Sequence, residues 1–269
     1  MQQQSEPGLA IVTGATGGMG SAAAAQLSAQ GWSLLLCGVD PQRLEEAASP
    51  LRTTGRQVEV LAGDVADPAF PGHLVDALGD RQIGALIHTA GISPTMTDTA
   101  ARIFAVNYDA TARLVDAIRP RMVEGGCAVL IASTAAFLVS SPEIDAAIGA
   151  LKASDDSSSL LRLAPTPQFA YPISKRAVIR LVAREAAAFG ERKARIVSIS
   201  PGLTDTKLGR AELAASSKAA EMLARTPLNR AGTVDEIASV AVFLCSPGAS
   251  FVTGCDIRVD GGTLAAIGF

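Results

Sequence analysis

Residues 9–20 of the chain read LAIVTGATGGMG, an apolar run followed by a turn with four glycines, and an alanine-rich segment, SAAAAQL, begins at Ser21. Glycines allow a tight bend and a close approach of backbone amides to a ligand, and the start of a helix favours a diphosphate. The spacing is TGxxxGxG and not the GxGxxG fingerprint, so a plain tight turn also explains these glycines. Because the turn follows a first strand and opens a helix, it predicts a dinucleotide site.

The rest of the chain repeats this alternation of short apolar runs and longer amphipathic segments. Seven runs rich in Val, Ile and Leu are predicted to be strands: Leu9–Thr13, Ser33–Cys37, Gln57–Ala62, Ala85–His88, Ala128–Ala132, Arg195–Ser198 and Asp256–Val259. Helical periodicity covers segments between them, such as Ser21–Gln30, Leu74–Leu78, Ala100–Ile118, Ile173–Phe189 and Val234–Leu244. We therefore predict an α/β fold: a doubly wound, Rossmann-type, seven-stranded parallel sheet with helices on both faces. Ligand-binding loops are expected at the carboxyl ends of the strands.

Length, composition and charge limit the class of protein. A chain of 269 residues with 48% hydrophobic residues can bury a sheet on both faces, so residues 1–269 are predicted to form a single dinucleotide-binding domain. The net charge of -3 and the scattered basic residues argue against nucleic acid or an anionic membrane as a partner. The N-terminus lacks the basic start of a signal peptide, and no apolar stretch is long enough to cross a bilayer.

The four cysteines lie far apart in the sequence and form no CxxC pair. This pattern is typical of reduced, buried thiols and not of a metal site, so no metal is predicted. A reducing compartment, the cytoplasm, is the expected location.

One segment, at about residues 138–168, interrupts the alternation of strands and helices. It contains SSPEIDAAIGALKASDDSSSLLRLAPTPQ and is far longer than an ordinary connection. Ser140 or Ser141 is suited to cap a helix that has Pro142 in its first turn. The apolar residues that would then share one face are Ile144, Ile148 and Leu151. We interpret the segment as an inserted helical hairpin.

Tyr171 and Lys175 are four residues apart in a chain with two tyrosines and five lysines. Positions i and i+4 share one face of a helix, so the ammonium can approach the phenol. A phenol has a reference pKa of about 10, and a nearby cation favours its phenolate form. Tyr171 could then exchange a proton with a substrate hydroxyl while a hydride moves. The plainer interpretation of Tyr171 is a half-buried aromatic at a helix start.

Several motifs occur in a fixed order: TGATGGMG at residues 13–20, Asp64-Val65, HTAG at 88–91, Asn107, Ser133, YPISK at 171–175, Pro201-Gly202 with Thr206, and VDGG at 259–262. Together they resemble the short-chain dehydrogenase/reductase family over residues 10–262. The resemblance implies one dinucleotide-binding and catalytic domain. It also implies an enzyme, namely an NAD(P)-dependent alcohol dehydrogenase or ketone reductase.

The resemblance assigns catalytic roles to four residues. Ser133 would bind the reacting carbonyl or hydroxyl oxygen, and Tyr171 would be the general acid/base. Lys175 would hold the nicotinamide ribose and lower the pKa of Tyr171, while Asn107 would anchor a water that relays protons to Lys175. By themselves, Ser133 and Asn107 are equally compatible with a strand cap and a locally bonded polar residue inside a helix.

The resemblance also implies a set of cofactor contacts along the carboxyl edge of the sheet. Asp64 would contact the adenine and Thr206 the nicotinamide side, although Asp64 could simply end a strand. The full set of implied cofactor-binding residues is Gly14, Thr16, Gly18, Met19, Gly20, Asp40, Asp64, Val65, Ala90, Gly91, Lys175, Pro201, Gly202, Thr204 and Thr206.

The two histidines are not predicted to be catalytic. The family usually has NNAG where this chain has HTAG, so His88 replaces an asparagine beside the cofactor. We interpret His88 as a packing residue, because the proton-transfer role already belongs to Tyr171. His73 lies on a predicted surface helix and receives no role.

The end of the second strand bears on the choice of nicotinamide cofactor. In the family, an acidic residue at the position of Gly38 binds the ribose of NAD, and a basic residue at Val39 neutralises the additional phosphate of NADP. NADP-binding members also often carry a basic residue at the position of Gly17. Because Asp40 is next in line to reach the ribose and Arg43 is the one nearby cation, we predict NAD, with NADP as the alternative.

Two further features bear on substrate and assembly. The segment at about 203–229 covers the substrate in the family and is rich in Leu here, which favours an apolar alcohol or ketone, although packing on the core explains the same residues. Ser133 and Tyr171 are 38 positions apart, as in the hydroxysteroid dehydrogenase/carbonyl reductase branch. There the insertion occupies an interface between helices, so we predict a homo-oligomer, a dimer and not a tetramer, formed near the C-terminal strand. A lid over the substrate is the competing role for the insertion.

The leading hypothesis is hydride transfer between NAD(H) and a secondary alcohol or ketone, alicyclic or steroid-like. One alternative is an NADP-dependent reductase of 3-oxoacyl thioesters. An alternative of another class is a regulator that senses NAD without turnover. The presence of Ser133, Tyr171, Lys175 and Asn107 disfavours the regulator, since binding alone needs no proton relay.

Overall fold

The computed structural model describes residues 8–53, 56–139, 141–151, 157–215 and 217–269. A seven-stranded sheet lies at its centre, and all its neighbouring strands run parallel. The strands are β1 Leu9–Thr13, β2 Ser33–Gly38, β3 Val58–Ala62, β4 Ile83–His88, β5 Met122–Ile131, β6 Arg195–Pro201 and β7 Asp256–Val259. All seven predicted strands are confirmed.

The strand order is β3-β2-β1-β4-β5-β6-β7, so the chain changes direction across the sheet between β1 and β4. In such a sheet a ligand binds in the crevice at the carboxyl ends of the two strands where the order reverses. The central strands β1 and β4 are buried along their whole length. Burial on both faces is the reason that they read as continuous apolar runs in the sequence.

Helices cover both faces of the sheet, as predicted. One face carries α1 Gly18–Ala29, α2 Pro41–Arg52 and α10 Val234–Leu244. The other carries α3 Phe70–Leu78, α4 Ala100–Phe104, α5 Ala110–Ile118 and α7 Pro167–Glu191. The remaining helices are α6 Pro142–Ala150, α8 Lys207–Ala215, α9 Ser217–Arg225 and α11 Thr263–Ala266. Within the described ranges, no helix has both the length and the hydropathy needed to span a bilayer.

Within the predicted insertion at 138–168, the described helix α6 packs against α7. Ser141 caps α6 as predicted, because its hydroxyl accepts a hydrogen bond from the Ile144 amide at 3.1 Å. Arg176 of α7 binds Asp145 of α6 with Nε 2.6 Å from Oδ1, and this hydrogen bond is the main cause that lowers the pKa of Asp145. A 3-10 helix follows at Ser157–Leu163. Ser140 and residues 152–156 lie outside the described residues, so the complete hairpin stays a prediction.

Candidate active site

The glycine-rich turn joins β1 to α1 at the reversal of strand order. Gly14 has a φ of 66°, a left-handed conformation that favours glycine. Gly17 is the N-cap of α1 and offers no side chain to the first-turn amides of the helix. Those amides have no partner within the helix and are therefore suited to bind a diphosphate. The turn fits the dinucleotide that the sequence predicts.

The loop after β4 lies directly against this turn. Thr89 donates a hydrogen bond from Oγ1 to the Thr13 carbonyl oxygen at 2.8 Å. A Cβ atom placed on Gly91 would lie 3.2 Å from Asn107 Oδ1 and 3.3 Å from Lys175 Nζ. A larger residue at position 91 would crowd both side chains, so the glycine lets the loop after β4 lie close to the Asn107 amide and the Lys175 ammonium.

Asn107 lies in a five-residue π-helical turn, Ala105–Asp109, between α4 and α5. Its Oδ1 accepts a hydrogen bond from the Ile92 amide at 2.9 Å, and its Nδ2 donates to the Ile92 carbonyl oxygen at 2.9 Å. Nδ2 also donates to Ser174 Oγ at 3.3 Å. The side chain therefore joins the β4 loop to α7. Single π turns inside α-helices are frequent at functional sites.

Ser133, Tyr171 and Lys175 border one cavity of about 200 Å³ at the carboxyl edge of the sheet. Ser133 follows β5, and its Oγ accepts a hydrogen bond from the Ala135 amide at 3.2 Å. Lys175 is 6% exposed and donates from Nζ to the Ile131 carbonyl oxygen at 2.8 Å. Nζ is also 6.0 Å from the centre of the Tyr171 ring. The structure thus brings three of the four predicted catalytic residues to one cavity wall, with Asn107 directly behind.

Several predicted cofactor residues border the same cavity. They come from the α1 start, the β4 loop and the end of β6: Met19, Gly91, Pro201, Gly202, Thr204 and Thr206. Lys175 is the one charged side chain among the described residues that line it. The apolar lining includes Ile92 and Leu138 beside Leu203 and Met222. The sequence prediction missed Ile92 and Leu138, although both closely follow strand ends, where ligands are expected.

Asp40 and Arg43, the residues considered for the ribose end of the cofactor, both make hydrogen bonds within the protein. Asp40 Oδ1 accepts hydrogen bonds from the amides of Gln42 and Arg43, at 2.9 and 3.2 Å, and thereby caps α2. Arg43 reaches back to the Thr16 carbonyl oxygen with Nη2 at 3.1 Å. Asp40 followed by Pro41 is a sequence signature of a helix start, so this cap could have been predicted.

Asp64 is paired with Arg102, a residue that no sequence motif singles out. Arg102 Nη2 lies 2.6 Å from Asp64 Oδ2, and the Ala66 amide donates to Oδ1 at 2.9 Å. Partial burial tends to raise the pKa of Asp64, but the hydrogen bonds from Arg102 and Ala66 outweigh it and lower the pKa. An adenine contact by Asp64 would therefore share its carboxylate with Arg102.

The described residues hold no group of three His, Cys, Asp or Glu side chains that could ligate a metal. His73 is exposed on α3. His88 is buried at the end of β4, behind the cavity and not on its wall. Neither histidine therefore borders the cavity.

Comparison with known proteins agrees with this geometry over nearly the whole chain. Residues 8–145 match the family model described as short chain dehydrogenase, and residues 156–263 match the model described as enoyl-(acyl carrier protein) reductase. The 3-alpha-hydroxysteroid dehydrogenase/carbonyl reductase of Comamonas testosteroni is 30% identical over 260 residues, which cover 94% of this chain and 95% of that protein. The L-rhamnose 1-dehydrogenase (NAD(P)(+)) of a Sphingomonas strain is 29% identical over 266 residues, or 94% of each chain.

Solved structures share the fold. The short-chain dehydrogenase/reductase SDR:glucose/ribitol dehydrogenase from Brucella melitensis is 28% identical to this chain. It aligns with a TM-score of 0.77 over 96% of each chain. The similarity therefore extends over both halves of the sheet and includes the crevice between β1 and β4.

Proposed function

Since the chain belongs to the short-chain dehydrogenase/reductase family and is an NAD(P)-dependent oxidoreductase, we propose that it transfers a hydride between NAD(H) and a secondary alcohol or ketone. The substrate class is apolar, alicyclic or steroid-like. One domain, residues 1–269, both binds the dinucleotide and carries the catalytic residues.

A single observation supports this proposal most directly. The Ser133 hydroxyl, the Tyr171 phenol and the Lys175 ammonium border one small cavity beside the glycine-rich turn. A hydroxyl, a phenol and an ammonium around one oxygen stabilise the charge that develops there during hydride transfer. A regulator that only senses NAD has no use for this arrangement.

Each residue has a distinct task in the proposed reaction. When bound, the nicotinamide ring supplies or accepts the hydride. Ser133 holds the substrate oxygen through a hydrogen bond, and Tyr171 gives or takes its proton. Lys175, nearly buried beside the Tyr171 ring, favours the phenolate through its positive charge. Asn107 holds the β4 loop through two hydrogen bonds with Ile92. In this proposal it also anchors a water that exchanges protons with Lys175.

The cavity lining supports an apolar substrate. Ile92, Leu138, Leu203 and Met222 contribute apolar surface, and Lys175 is the one charged group among the described lining residues. The relative from Comamonas testosteroni is named a 3-alpha-hydroxysteroid dehydrogenase/carbonyl reductase, which agrees with an alicyclic ketone. A second candidate is reduction of 3-oxoacyl thioesters, since the C-terminal half matches a model described as enoyl-(acyl carrier protein) reductase.

We expect the purified protein to oxidise NADH with alicyclic and steroid-like ketones at a kcat/KM at least about 10-fold higher than with 3-oxoacyl thioesters. Among the described residues that line the cavity, Lys175 is the one cation and the proposed reaction already uses it, so the lining offers no further cation to the phosphate groups of a thioester carrier. Absorbance at 340 nm, followed for both substrate panels with NADH and with NADPH, measures this. Preference for thioesters with NADPH would identify the second candidate as the correct function.

The cofactor part of the proposal depends on Asp40. Its carboxylate lies at the exposed end of β2 and repels the additional phosphate of NADPH. Asp40→Asn keeps a side-chain oxygen for the α2 cap and removes the charge, so it should raise the NADPH/NADH ratio of kcat/KM about 10-fold. Arg43→Gln is the matched variant and should leave NADH turnover unchanged. If the native protein prefers NADPH and Arg43→Gln abolishes that preference, the NAD assignment is wrong.

We also propose a cytoplasmic location. Cys37, Cys127 and Cys245 are buried free thiols, and Cys255 is an exposed free thiol. Burial raises the pKa of Cys37 to about 12, which keeps this thiol protonated and unreactive. Free thiols of this kind are typical of proteins in a reducing compartment.

The proposed assembly is a dimer formed next to β7. This strand is an edge of the sheet, Phe251 beside it is fully exposed, and Phe243 on α10 is 52% exposed. An unpaired strand edge with exposed aromatic side chains is a typical interaction surface. Asp145 of α6 pairs with Arg176 on α7, so part of α7 is already occupied by the insertion, which disfavours a further interface on that face.

Light scattering coupled to gel filtration should give twice the mass of the chain. Phe251→Asp combined with Phe243→Asp should give the monomer mass, since two charges would be buried without partners. Val123→Asp, which changes an exposed apolar residue elsewhere, should leave the dimer intact. A tetramer in the native protein would contradict this assembly.

A further inference from the structure

His88 occupies an unusual position behind the proposed active site. Its ring is 3% exposed and lies between two hydroxyl groups from different elements. Nδ1 is 2.7 Å from Thr13 Oγ1 at the end of β1, and Nε2 is 2.9 Å from Thr111 Oγ1 on α5. The imidazole therefore connects the strand that enters the glycine-rich turn to the helix that follows Asn107.

The direction of these hydrogen bonds follows from their partners. Thr111 Oγ1 lies 2.8 Å from the Asn107 carbonyl oxygen, which can only accept, so the single hydroxyl proton of Thr111 is committed there. Thr111 must then accept from His88, and Nε2 carries the proton. A neutral imidazole has one N–H, so Nδ1 is unprotonated and accepts a hydrogen bond from the Thr13 hydroxyl.

The charge state of His88 agrees with this assignment. Burial, and to a lesser extent the positive charge of Lys175, lower the pKa of His88 to about 3. The ring is therefore neutral at every pH at which the protein is expected to work. A charged ring would donate from both nitrogens and would leave the Thr13 hydroxyl without its acceptor.

The hydrogen bonds continue on both sides of the ring. Thr13 Oγ1 accepts from the Ala90 amide at 3.4 Å, and Ala90 belongs to the loop at the cofactor edge. On the other side, the series of hydrogen bonds ends at the Asn107 carbonyl oxygen. Asn107 lies in the π-helical turn, in which the Ala110 amide donates to the Ala105 carbonyl oxygen. With this tautomer, every donor from the Ala90 amide to the Thr111 hydroxyl points in the same direction, toward the Asn107 carbonyl oxygen.

We propose that His88 is a positioning residue for proton transfer: as a neutral imidazole protonated on Nε2, it orients Thr111 and thereby fixes the backbone carbonyl of Asn107. This inference rests on the proposed function, in which Asn107 anchors the water that exchanges protons with Lys175. His88 itself neither gives nor takes a proton. Its ring sets the position of the carbonyl relative to Lys175 and ties that position to the β4 loop.

The tautomer can be measured without any substrate. We expect ¹⁵N-edited NMR of the uniformly ¹⁵N-labelled native protein at pH 7 to show His88 protonated on Nε2 and bare on Nδ1. The exposed His73 gives the second set of ring signals, and His73→Asn assigns the two rings. A ring protonated on Nδ1, or on both nitrogens, would overturn the inference.

Kinetic variants test the positioning role. Thr111→Val keeps the side-chain shape and removes the hydroxyl, and His88→Asn restores the residue usual in the family. For both we expect a decrease in kcat of about 10-fold, well below the full contribution of general acid–base catalysis, with KM for the cofactor unchanged. The pH profile of kcat/KM should also differ from that of the native protein, because the surroundings of Lys175 change.

The double variant and a control separate this role from simple packing. Two residues that act through one carbonyl are not additive, so the double variant should be no slower than the slower single variant. His73→Asn should leave both profiles unchanged. If Thr111→Val loses only stability and keeps kcat and the pH profile, His88 has no positioning role. Absence of turnover in the native protein with every substrate would instead contradict the proposed function, and the positioning role with it.

Discussion

Tyr171→Phe should bind the nicotinamide cofactor as tightly as the native protein and lose turnover by about 1000-fold, within the range expected for general acid–base catalysis. The substitution removes one oxygen from the cavity wall and leaves the ring beside Lys175 in place. Fluorescence titration with reduced cofactor measures binding, and single-turnover absorbance measures the hydride step.

The other tyrosine provides the control for this experiment. Tyr108 is 1% exposed and lies outside the cavity lining, so Tyr108→Phe removes the same atom from a buried phenol that the proposed chemistry does not use. It should keep its turnover. If Tyr171→Phe remained active, the proton-transfer role would belong to another group and the proposed mechanism would be wrong.

Gly20→Ala should abolish useful cofactor binding. A Cβ atom at this position would overlap the Gly14 carbonyl group and would lie 2.8 Å from Thr89 Oγ1. The clash involves backbone on one side, so the glycine-rich turn must open. We expect the cofactor Kd to rise about 100-fold, equivalent to about 3 kcal/mol, as overpacking commonly costs. Isothermal titration calorimetry with NADH checks this value.

Gly72→Ala is the matched substitution outside the site. Gly72 lies in α3, and a Cβ atom there would meet no atom within 4 Å. The variant should keep the native Kd and gain stability of about 0.5–1 kcal/mol, because alanine is the better helix former. An unchanged Kd in Gly20→Ala would show that the turn does not hold the diphosphate.

The sequence predicted the strands well because a parallel sheet covered on both faces requires continuous apolar runs. The prediction was wrong at the start of one strand, β5. β5 begins at Met122 and not at Ala128, because Met122 pairs with Ile83 before the register shifts and pairing resumes between Cys127 and Ala85. The sequence pattern misses this start, since Glu124, Gly125 and Gly126 in the irregular stretch are poor strand formers.

The candidate site was predictable where a motif fixes the residues, as for Ser133 just after β5 and for Tyr171 and Lys175 four residues apart on α7. It was not predictable where two residues meet only in the folded chain. The hydrogen bond between Arg102 and Asp64 joins positions 38 residues apart. The hydrogen bond between His88 and Thr111 joins positions 23 residues apart. No spacing rule links such positions, because the contact depends on the packing of α4 and α5 beside the sheet.

The ion pair between Arg176 and Asp145 has a mechanical implication. Arg176 directly follows Lys175, so the ion pair fixes α6 to α7 one residue beyond the lysine that borders the cavity. A displacement of α6 would therefore act on the α7 backbone that positions the Lys175 ammonium. The position of the Lys175 backbone therefore depends on a contact outside the cavity, made by two residues that do not line it.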